Sequence, residues 1–187
     1  MKTTFLIDGD NISVAGLNGL EVLQAEDEVI ILNNSRVSYS KEVMKNLYDK
    51  CRCKIIHKKL PVAYKNSVDF AIAIELGELN ADLQNLVVVI SRDSDLAHIA
   101  EIYGAIYKKE DDFLFVALDV KHAMLQILPL YVDKKDRLQE IYRCLYGKKM
   151  VPTVLENMNN IFSVDKREEP KEQKKPLLFS LEKLKGR

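Results

Sequence analysis

Short apolar runs alternate along this chain with longer segments in which apolar residues recur every three or four positions. The short runs are rich in β-branched residues, as strands buried on both faces are. They predict strands at about 4–7, 28–32, 53–57, 86–90 and 113–118. The periodic segments between them predict helices near 12–24, 40–50, 68–79 and 95–107. Regular alternation of strand and helix predicts an α/β domain with a central, mainly parallel sheet flanked by helices.

The pattern changes after residue 120. Further helices are predicted at 121–128, 135–146 and 152–162. Residues 166–187 carry eight Lys and Arg against four Glu, with two prolines and few apolar groups, which is too little apolar surface to fold alone. We therefore predict a core over 1–120, a C-terminal helical extension over 121–164 and a flexible basic tail over 165–187.

Bulk composition excludes several classes of protein. Hydrophobic content of 47% and charged content of 30% are those of a soluble globular chain. No run approaches the roughly 20 apolar residues of a membrane-spanning helix, and the first apolar stretch is too short for a signal peptide. Cys51, Cys53 and Cys144 form no even disulfide framework and lack the second pair of a zinc site. We expect a cytoplasmic protein with reduced thiols and no membrane association.

Carboxylates follow the predicted strands. Asp8 and Asp10 come directly after the first run, Asp93 and Asp95 follow the run 86–90, and Asp69 opens a predicted helix. Because the carboxyl ends of parallel strands meet at one edge of a sheet, we expect these acids to converge there. Clustered carboxylates repel each other unless a cation neutralises them. The sequence therefore predicts a site for Mg²⁺ or Mn²⁺, ions that prefer hard oxygen ligands and commonly serve phosphodiester chemistry.

Each acid also has a local alternative role. Asp69 could favour a helix N-terminus through the helix dipole, with Ser67 as the capping residue. Asp93 could cap the helix that begins near residue 94, and Asp95 could serve in its first turn. Asp8, at the end of a strand, could be a turn residue, and Asp10 could be an extra ligand or an exposed turn residue.

Three motifs occur in a fixed order over residues 3–118. The first is a strand followed by Asp-x-x-Asn, from Asp8 to Asn11. The second is an acid that opens a helix soon after a lysine, from Lys65 to Asp69. The third follows a strand and reads Ser91-Arg92-Asp93-Ser94-Asp95. Together these motifs resemble those of the PIN-like nucleases, and within them the NYN group.

The resemblance implies a Rossmann-like PIN fold, about two Mg²⁺ or Mn²⁺ ions and cleavage of RNA phosphodiester bonds. It assigns catalysis and metal binding to four acids, Asp8, Asp69, Asp93 and Asp95. Asn11 would position the substrate, with Ser91 and Arg92 beside it. Arg92 stands where the family usually has Gly, so a guanidinium could either perturb the loop or lie near a substrate phosphate.

The stretch from residue 50 to residue 65 contains six Lys and Arg and no acid. Its lysines Lys54, Lys58, Lys59 and Lys65 could hold substrate phosphates along one side of the crevice. The alternative is a solvated edge strand that the lysines protect from aggregation.

Two other functions remain open. A haloacid-dehalogenase-like phosphatase also begins with a strand and Asp-x-Asp, here Asp8 to Asp10, and Ser35 could supply its next motif. A non-catalytic domain could bind RNA or protein through the same crevice. The expected partner is single-stranded RNA, while a protein partner for the tail and a homo-oligomer are further possibilities.

Overall fold

The computed structural model of the chain describes residues 2–34, 39–61, 64–79, 85–107, 114–127 and 135–147. The strands are β1 Lys2–Asp8, β2 Glu28–Asn33, β3 Lys54–Lys59, β4 Asn85–Ile90 and β5 Leu114–Ala117. The α-helices are α1 Lys41–Lys50, α2 Ser67–Leu79, α3 Ile99–Tyr107, α4 Val120–Ile127 and α5 Lys135–Tyr146. Among these residues, no helix combines the length and the apolar character needed to cross a bilayer.

The strands form one sheet in the order β3-β2-β1-β4-β5, and every neighbouring pair is parallel. The prediction of an α/β fold with a central parallel sheet is therefore confirmed. β1 lies in the middle, with Asp8 level with Leu32 of β2 and Ile7 level with Ile90 of β4. The chain runs outward from β1 to one side and then crosses to the other. That reversal opens a crevice at the carboxyl ends of β1 and β4, where open α/β sheets bind ligands.

Helices cover both faces of the sheet, and alternate residues of the central strands point to opposite faces. On one face Phe5 and Val88 pack against α4 and α5. On the other face Leu6 and Val89 pack against α2 and α3, with Ile72 among the fully buried side chains. Strands covered on both faces need continuous apolar runs, which explains why their sequences do not alternate with polar residues.

The segment predicted as one helix over 12–24 was assigned wrongly. It forms two short 3₁₀ turns, Val14–Leu17 and Leu20–Val22. Gly19 separates them with a φ of 111°, a left-handed conformation that ends regular helix and that glycine adopts without a steric cost. Most of the apolar residues of this segment are nevertheless buried, so their spacing indicated burial and not a continuous helix.

A buried ion pair joins α5 to the sheet. The Arg137 guanidinium lies 2.7 Å from Asp27 Oδ2 and also donates to the carbonyl oxygen of Val22. Asp27 accepts further hydrogen bonds from the backbone N–H groups of Thr3 at 3.2 Å and Gln24 at 2.9 Å. Side chains of α4 and α5 belong to the same hydrophobic cluster as β1 and β4. The helix predicted at 152–162 and the tail at 165–187 lie outside the described residues.

Candidate functional site

Asp8 ends β1 and is fully buried. Its Oδ1 accepts the backbone N–H groups of Asp10 at 3.1 Å and Asn11 at 3.3 Å. Its Oδ2 accepts the Asn11 side-chain amide at 2.7 Å and the Ser91 hydroxyl at 2.6 Å. A carboxylate offers about four lone-pair sites, and these donors use that number. Protein groups therefore hold the Asp8 charge in place in the absence of any ion.

The loop after β1 lies directly against the end of β2. The Gly9 N–H donates to the carbonyl oxygen of Leu32 at 2.6 Å, and a Cβ at position 9 would lie only 2.8 Å from that oxygen. Only glycine fits there without displacing backbone. The close approach turns Asp10 toward Asn34, whose backbone N–H donates to Asp10 Oδ1 at 3.0 Å and whose side-chain amide donates to Oδ2. Asp10 is thus held at the β2 side of the crevice.

Ser91 connects the loops that follow β1 and β4. Its backbone N–H donates to the carbonyl oxygen of Ala117 at 3.0 Å, which extends the pairing of β4 with β5 by one position. Its hydroxyl donates to Asp8 and accepts the backbone N–H of Asp93 at 3.0 Å. Asp93 Oδ1 in turn accepts the backbone N–H of Asp95 at 2.9 Å, as a residue that begins a helical turn does. The sequence Ser-x-Asp-x-Asp therefore folds back on itself and presents its acids at the same edge as Asp8.

Asp69 is brought to this edge by the first turn of α2. Burial raises its pKa above the ordinary value, and the negative charges of Asp8, Asp93, Asp95 and Asp10 raise it further. Asp69 therefore shares one electrostatic environment with these four carboxylates. Within the described residues, neither the Asp69 nor the Asp95 carboxylate accepts a hydrogen bond or pairs with a basic side chain. The cluster thus carries negative charge that the described residues leave uncompensated.

The local alternative for Asp69 is partly excluded. Helix α2 begins at Ser67 itself, and the buried Ser67 hydroxyl has no hydrogen-bond partner among the described residues, so Ser67 is not the cap. Asn66, with a φ of 60°, precedes the helix, and its carbonyl oxygen accepts the N–H of Phe70 at 3.1 Å. The position of Asp69 in the first turn remains favourable for the helix dipole as well as for a cation.

The donor set suits a hydrated divalent cation. Asp69, Asp95 and the second oxygen of Asp93 are hard oxygens with no protein donor in the described part of the chain. In that part, no three His, Cys, Asp or Glu side chains are already close enough together to hold a metal ion among them. Mg²⁺ usually keeps several of its waters and uses one or two carboxylates together with substrate phosphates, so a three-ligand cage is not required. Asp8 could bind an ion directly only by exchanging the donor from Ser91 or Asn11.

The predicted basic residues are not all at this edge. Lys54 starts β3, pairs with Glu28 at 2.7 Å and lies four positions before the level of Asp8, about 13 Å away along the strand direction. Lys58 is level with Leu32 but pairs with Glu75 at 2.5 Å. Two lysines are exposed at or just beyond the carboxyl end of β3, Lys59 and Lys65. β3 is an edge strand, where lysines also prevent edge-to-edge association.

Arg92 points toward β5 rather than toward Asp69. Its Nε donates to the carbonyl oxygen of Leu118 at 3.5 Å, and its charge acts on Asp119. Asp119, which the sequence analysis did not single out, accepts both the backbone N–H of His122 at 2.9 Å and its Nδ1 at 2.8 Å. Burial pushes the pKa of Asp119 upward, but these hydrogen bonds and the charges of His122 and Arg92 lower it overall. An acid directly after the last strand was the signal that would have identified it.

Tyr39 is a second residue that the motifs did not reveal. Its hydroxyl donates to the carbonyl oxygen of Ile12 at 2.6 Å. Burial raises the pKa of Tyr39 to about 12, with further contributions from the charges of Asp8 and Asp10. The phenol therefore stays protonated beside the acids. At the end of β2, the buried Asn33 places its side-chain Oδ1 2.5 Å from His57 Nε2 on β3. Burial and the charge of Lys59 lower the pKa of His57.

No protein-family model matches the chain, and neither the curated proteins nor the solved structures include one that is significantly similar to it. The likeness to the PIN-like nucleases therefore rests on the three motifs alone.

Proposed function

We propose that the chain is a metal-dependent ribonuclease of the PIN-like, NYN type that cleaves RNA phosphodiester bonds with Mg²⁺ or Mn²⁺. The observation that carries the proposal is the set of acids at the carboxyl edge of β1 and β4, two of which have no compensating partner in the described residues. Uncompensated carboxylates would repel a nucleic acid, so they serve a phosphate substrate only when a cation lies between.

The residues would divide the work as follows. One or two of the carboxylates of Asp69, Asp93 and Asp95 would hold a hydrated cation, while Asp8 fixes the Asp93 loop through Ser91. A bound divalent ion supplies Lewis-acid stabilisation of the phosphate and lowers the pKa of a coordinated water. Asn11 keeps the Asp8 carboxylate oriented through its amide. We assign catalysis to Asp69, Asp93 and Asp95, and to Asp8, the fourth acid of the quartet, the role of positioning the Asp93 loop.

Substrate phosphates would approach from the side of β3. Lys59 and Lys65 are exposed there and have no carboxylate partner in the described residues, unlike Lys54 and Lys58. Because Lys59 and Asp95 are exposed, this edge of the sheet would suit a single strand, whose backbone can bend to reach the ions. We therefore propose single-stranded RNA as the substrate and the cytoplasm as the place of action.

The burial of Asp8 argues against the phosphatase alternative. That mechanism uses the first aspartate of Asp-x-Asp as a nucleophile, which needs an exposed oxygen aimed at the phosphate. Asp8 is fully buried, and each of its two oxygens accepts two hydrogen bonds. A purely binding domain gains nothing from the unpaired acids Asp69 and Asp95, because they would weaken its contact with phosphate.

The direct test is cleavage of a labelled single-stranded RNA in Mg²⁺ or Mn²⁺, with chelator as the blank. Asp69→Asn and Asp95→Asn should each lower the rate by at least about a hundredfold, since each removes charge stabilisation of the transition state. Asp49→Asn is the matched control, because Asp49 is exposed near the C-terminus of α1, at the opposite edge of the sheet. It should cleave at the wild-type rate.

The same assay separates the alternatives. Release of phosphate from a small phosphomonoester, with no RNA cleavage, would support the phosphatase. Tight RNA binding without cleavage under any divalent ion would support the binding domain. Full activity of both Asp69→Asn and Asp95→Asn would remove these acids from the mechanism.

A further inference from the structure

Asp119 and His122 form a pair at the carboxyl end of β5 that has no role in the proposed mechanism. Asp119 Oδ1 accepts the backbone N–H of His122 at 2.9 Å and also its ring nitrogen Nδ1 at 2.8 Å. The first bond caps the N-terminus of α4, as an aspartate before a helix commonly does. The second bond is not needed for the cap. It fixes the orientation of an imidazole ring that is 57% exposed to solvent.

One ring nitrogen of His122 is available to a ligand. An ionised carboxylate only accepts hydrogen bonds, so Nδ1 carries the proton that it shares with Asp119. The other nitrogen, Nε2, has no hydrogen-bond partner in the described part of the chain. A proton on Nε2 gives an imidazolium beside a carboxylate, and that neighbour favours the charged ring. A ring in this state donates to an anion.

Arg92 approaches the same carboxylate from the loop after β4. Its Nε donates to the carbonyl oxygen of Leu118, and its charge acts on Asp119. The guanidinium is exposed, and no carboxylate among the described residues lies within ion-pair distance of it. Two basic side chains therefore flank one carboxylate, which leaves a net positive charge at this corner when His122 is protonated.

This corner lies beside the acidic cluster. Arg92 belongs to the same loop as two of the acids. A Cβ at Gly16 would lie 3.7 Å from the Asp119 Cβ, so the loop after β5 also lies close to the segment that follows β1. β5 is next to β4 and four strand spacings from β3, which is about 19 Å. Along the carboxyl edge the acids thus lie between Lys59 on one side and Arg92 with His122 on the other.

We propose that Arg92 and His122 form a second phosphate site, the β5 phosphate site, which holds a non-scissile phosphate of the RNA strand. Guanidinium and imidazolium groups both make charge-assisted hydrogen bonds to phosphate oxygens. Asp119 is the positioning residue, because it fixes the ring and attracts the guanidinium to the same corner. The strand crosses the acidic cluster with a phosphate held on each side. That the strand is RNA rests on the proposed ribonuclease function.

Binding without cleavage tests the site separately from catalysis. A labelled single-stranded RNA of about 12 nucleotides is titrated in Ca²⁺, an ion that also takes oxygen ligands, and a gel shows that the RNA stays intact. Arg92→Gln and His122→Gln should each raise the dissociation constant about fivefold. Each should also reduce the slope of log K against log salt concentration by about 0.7, since each removes one phosphate contact.

Arg52→Gln is the matched control. Arg52 precedes β3, at the amino edge of the sheet, and lies 3.7 Å from Glu140. It is an exposed arginine on the opposite edge from the acids, so its replacement should leave both the dissociation constant and the salt slope at the wild-type values. Losses equal to those of Arg92→Gln would indicate a general effect of net charge and would overturn the inference.

Asp119→Ser separates the positioning role of Asp119 from its capping role. Serine keeps a capping side chain at the start of α4 but removes the carboxylate that holds the ring. Adding His122→Gln to Asp119→Ser should change the dissociation constant by less than about twofold, because the ring is no longer fixed. An undiminished effect of His122→Gln in that background would overturn the positioning role.

A dinucleotide substrate distinguishes this site from the scissile position, because its one phosphate is the scissile one. In Mg²⁺, Arg92→Gln and His122→Gln should raise KM for the longer RNA and leave kcat/KM for the dinucleotide within about twofold of wild type. Equal losses on both substrates overturn the inference, since the side chains then act on the scissile phosphate or on the fold.

The outcomes for the site and for the nuclease are distinguishable. Unchanged binding in both variants, with RNA cleavage by the wild type, overturns the β5 phosphate site and leaves the nuclease standing. Weakened binding in both variants, with no cleavage by the wild type under any divalent ion, supports the site and overturns the nuclease. A wild type that binds no RNA overturns both.

Discussion

Removing one hydroxyl, in Ser91→Ala, should destabilise the protein far more than its size suggests. The Ser91 hydroxyl is buried, donates to the Asp8 carboxylate at 2.6 Å and accepts the backbone N–H of Asp93 at 3.0 Å. It therefore serves one buried charge and one loop at the same time. Alanine leaves the carboxylate with one donor fewer and the N–H of Asp93 without its acceptor.

The magnitude follows from those two bonds. A hydrogen bond to a charged group contributes about 1.5–3 kcal/mol, and a buried partner that is left unsatisfied adds to the loss. We expect Ser91→Ala to lower the free energy of unfolding by about 2–3 kcal/mol, a large part of the 5–15 kcal/mol that is typical of a domain. The loss should appear in chelator, because the bonds involve protein groups only.

Urea unfolding at pH 7 measures the effect through the midpoint of the transition at constant slope. Ser94→Ala, three residues along the same loop and exposed, is the matched control and should change stability by less than about 0.5 kcal/mol. Equal stabilities for the two variants would refute the reasoning, since the Ser91–Asp8 bond would then contribute nothing.

Three further outcomes are expected. Burial and neighbouring acids raise the pKa of Asp69, so its ionisation opposes folding at neutral pH. Asp69→Asn should therefore have a higher melting temperature than wild type in chelator at pH 7, and the difference should vanish below about pH 4, where the carboxyl is protonated in both states. A melting difference that does not depend on pH would contradict this. Arg137→Met leaves the buried Asp27 without its cationic partner and should lower the free energy of unfolding in urea by about 3–5 kcal/mol. Adding Asp27→Asn should restore part of that loss. A loss below about 1 kcal/mol, which is typical of a surface ion pair, would argue against a buried pair. Lys59→Gln should weaken RNA binding and reduce the slope of log K against log salt concentration by about 0.7. Lys54→Gln should change neither quantity, because Lys54 pairs with Glu28. Identical behaviour of the two variants would show that the two lysines do not differ in phosphate binding.

The sheet was predictable because its strands are buried on both faces. Apolar β-branched runs such as 86–90 have few other uses in a soluble chain, and each became a strand within one or two residues of the prediction. The prediction of a helix over 12–24 was wrong because the spacing of its apolar residues matched a helix, whereas Gly19 adopts a left-handed conformation that interrupts one. Burial alone can produce such spacing, so periodicity could not separate a helix from two short turns.

The candidate site was predictable in part for the same topological reason. Once the strands are parallel, acids at their carboxyl ends must lie at one edge, and Asp8 and Asp93 follow from the motif positions. Which donors surround each acid depends on loop geometry that spacing does not encode. The pairing of Asp10 with Asn34 arises from a close backbone approach between the ends of β1 and β2, which are far apart in sequence.

The central position of β1 has a consequence for how the chain is made. β1 precedes both of the strands that flank it in the sheet, and the second of these begins only at Asn85. Ser91, which holds the Asp8 carboxylate, follows later still. A nascent chain that ends before Ser91 has Asp8 at the end of a strand that it cannot yet bury, so one edge of β1 stays unpaired until β4 is made. Long-range parallel pairing of this kind folds slowly, and it leaves apolar strand surface exposed until β4 has emerged.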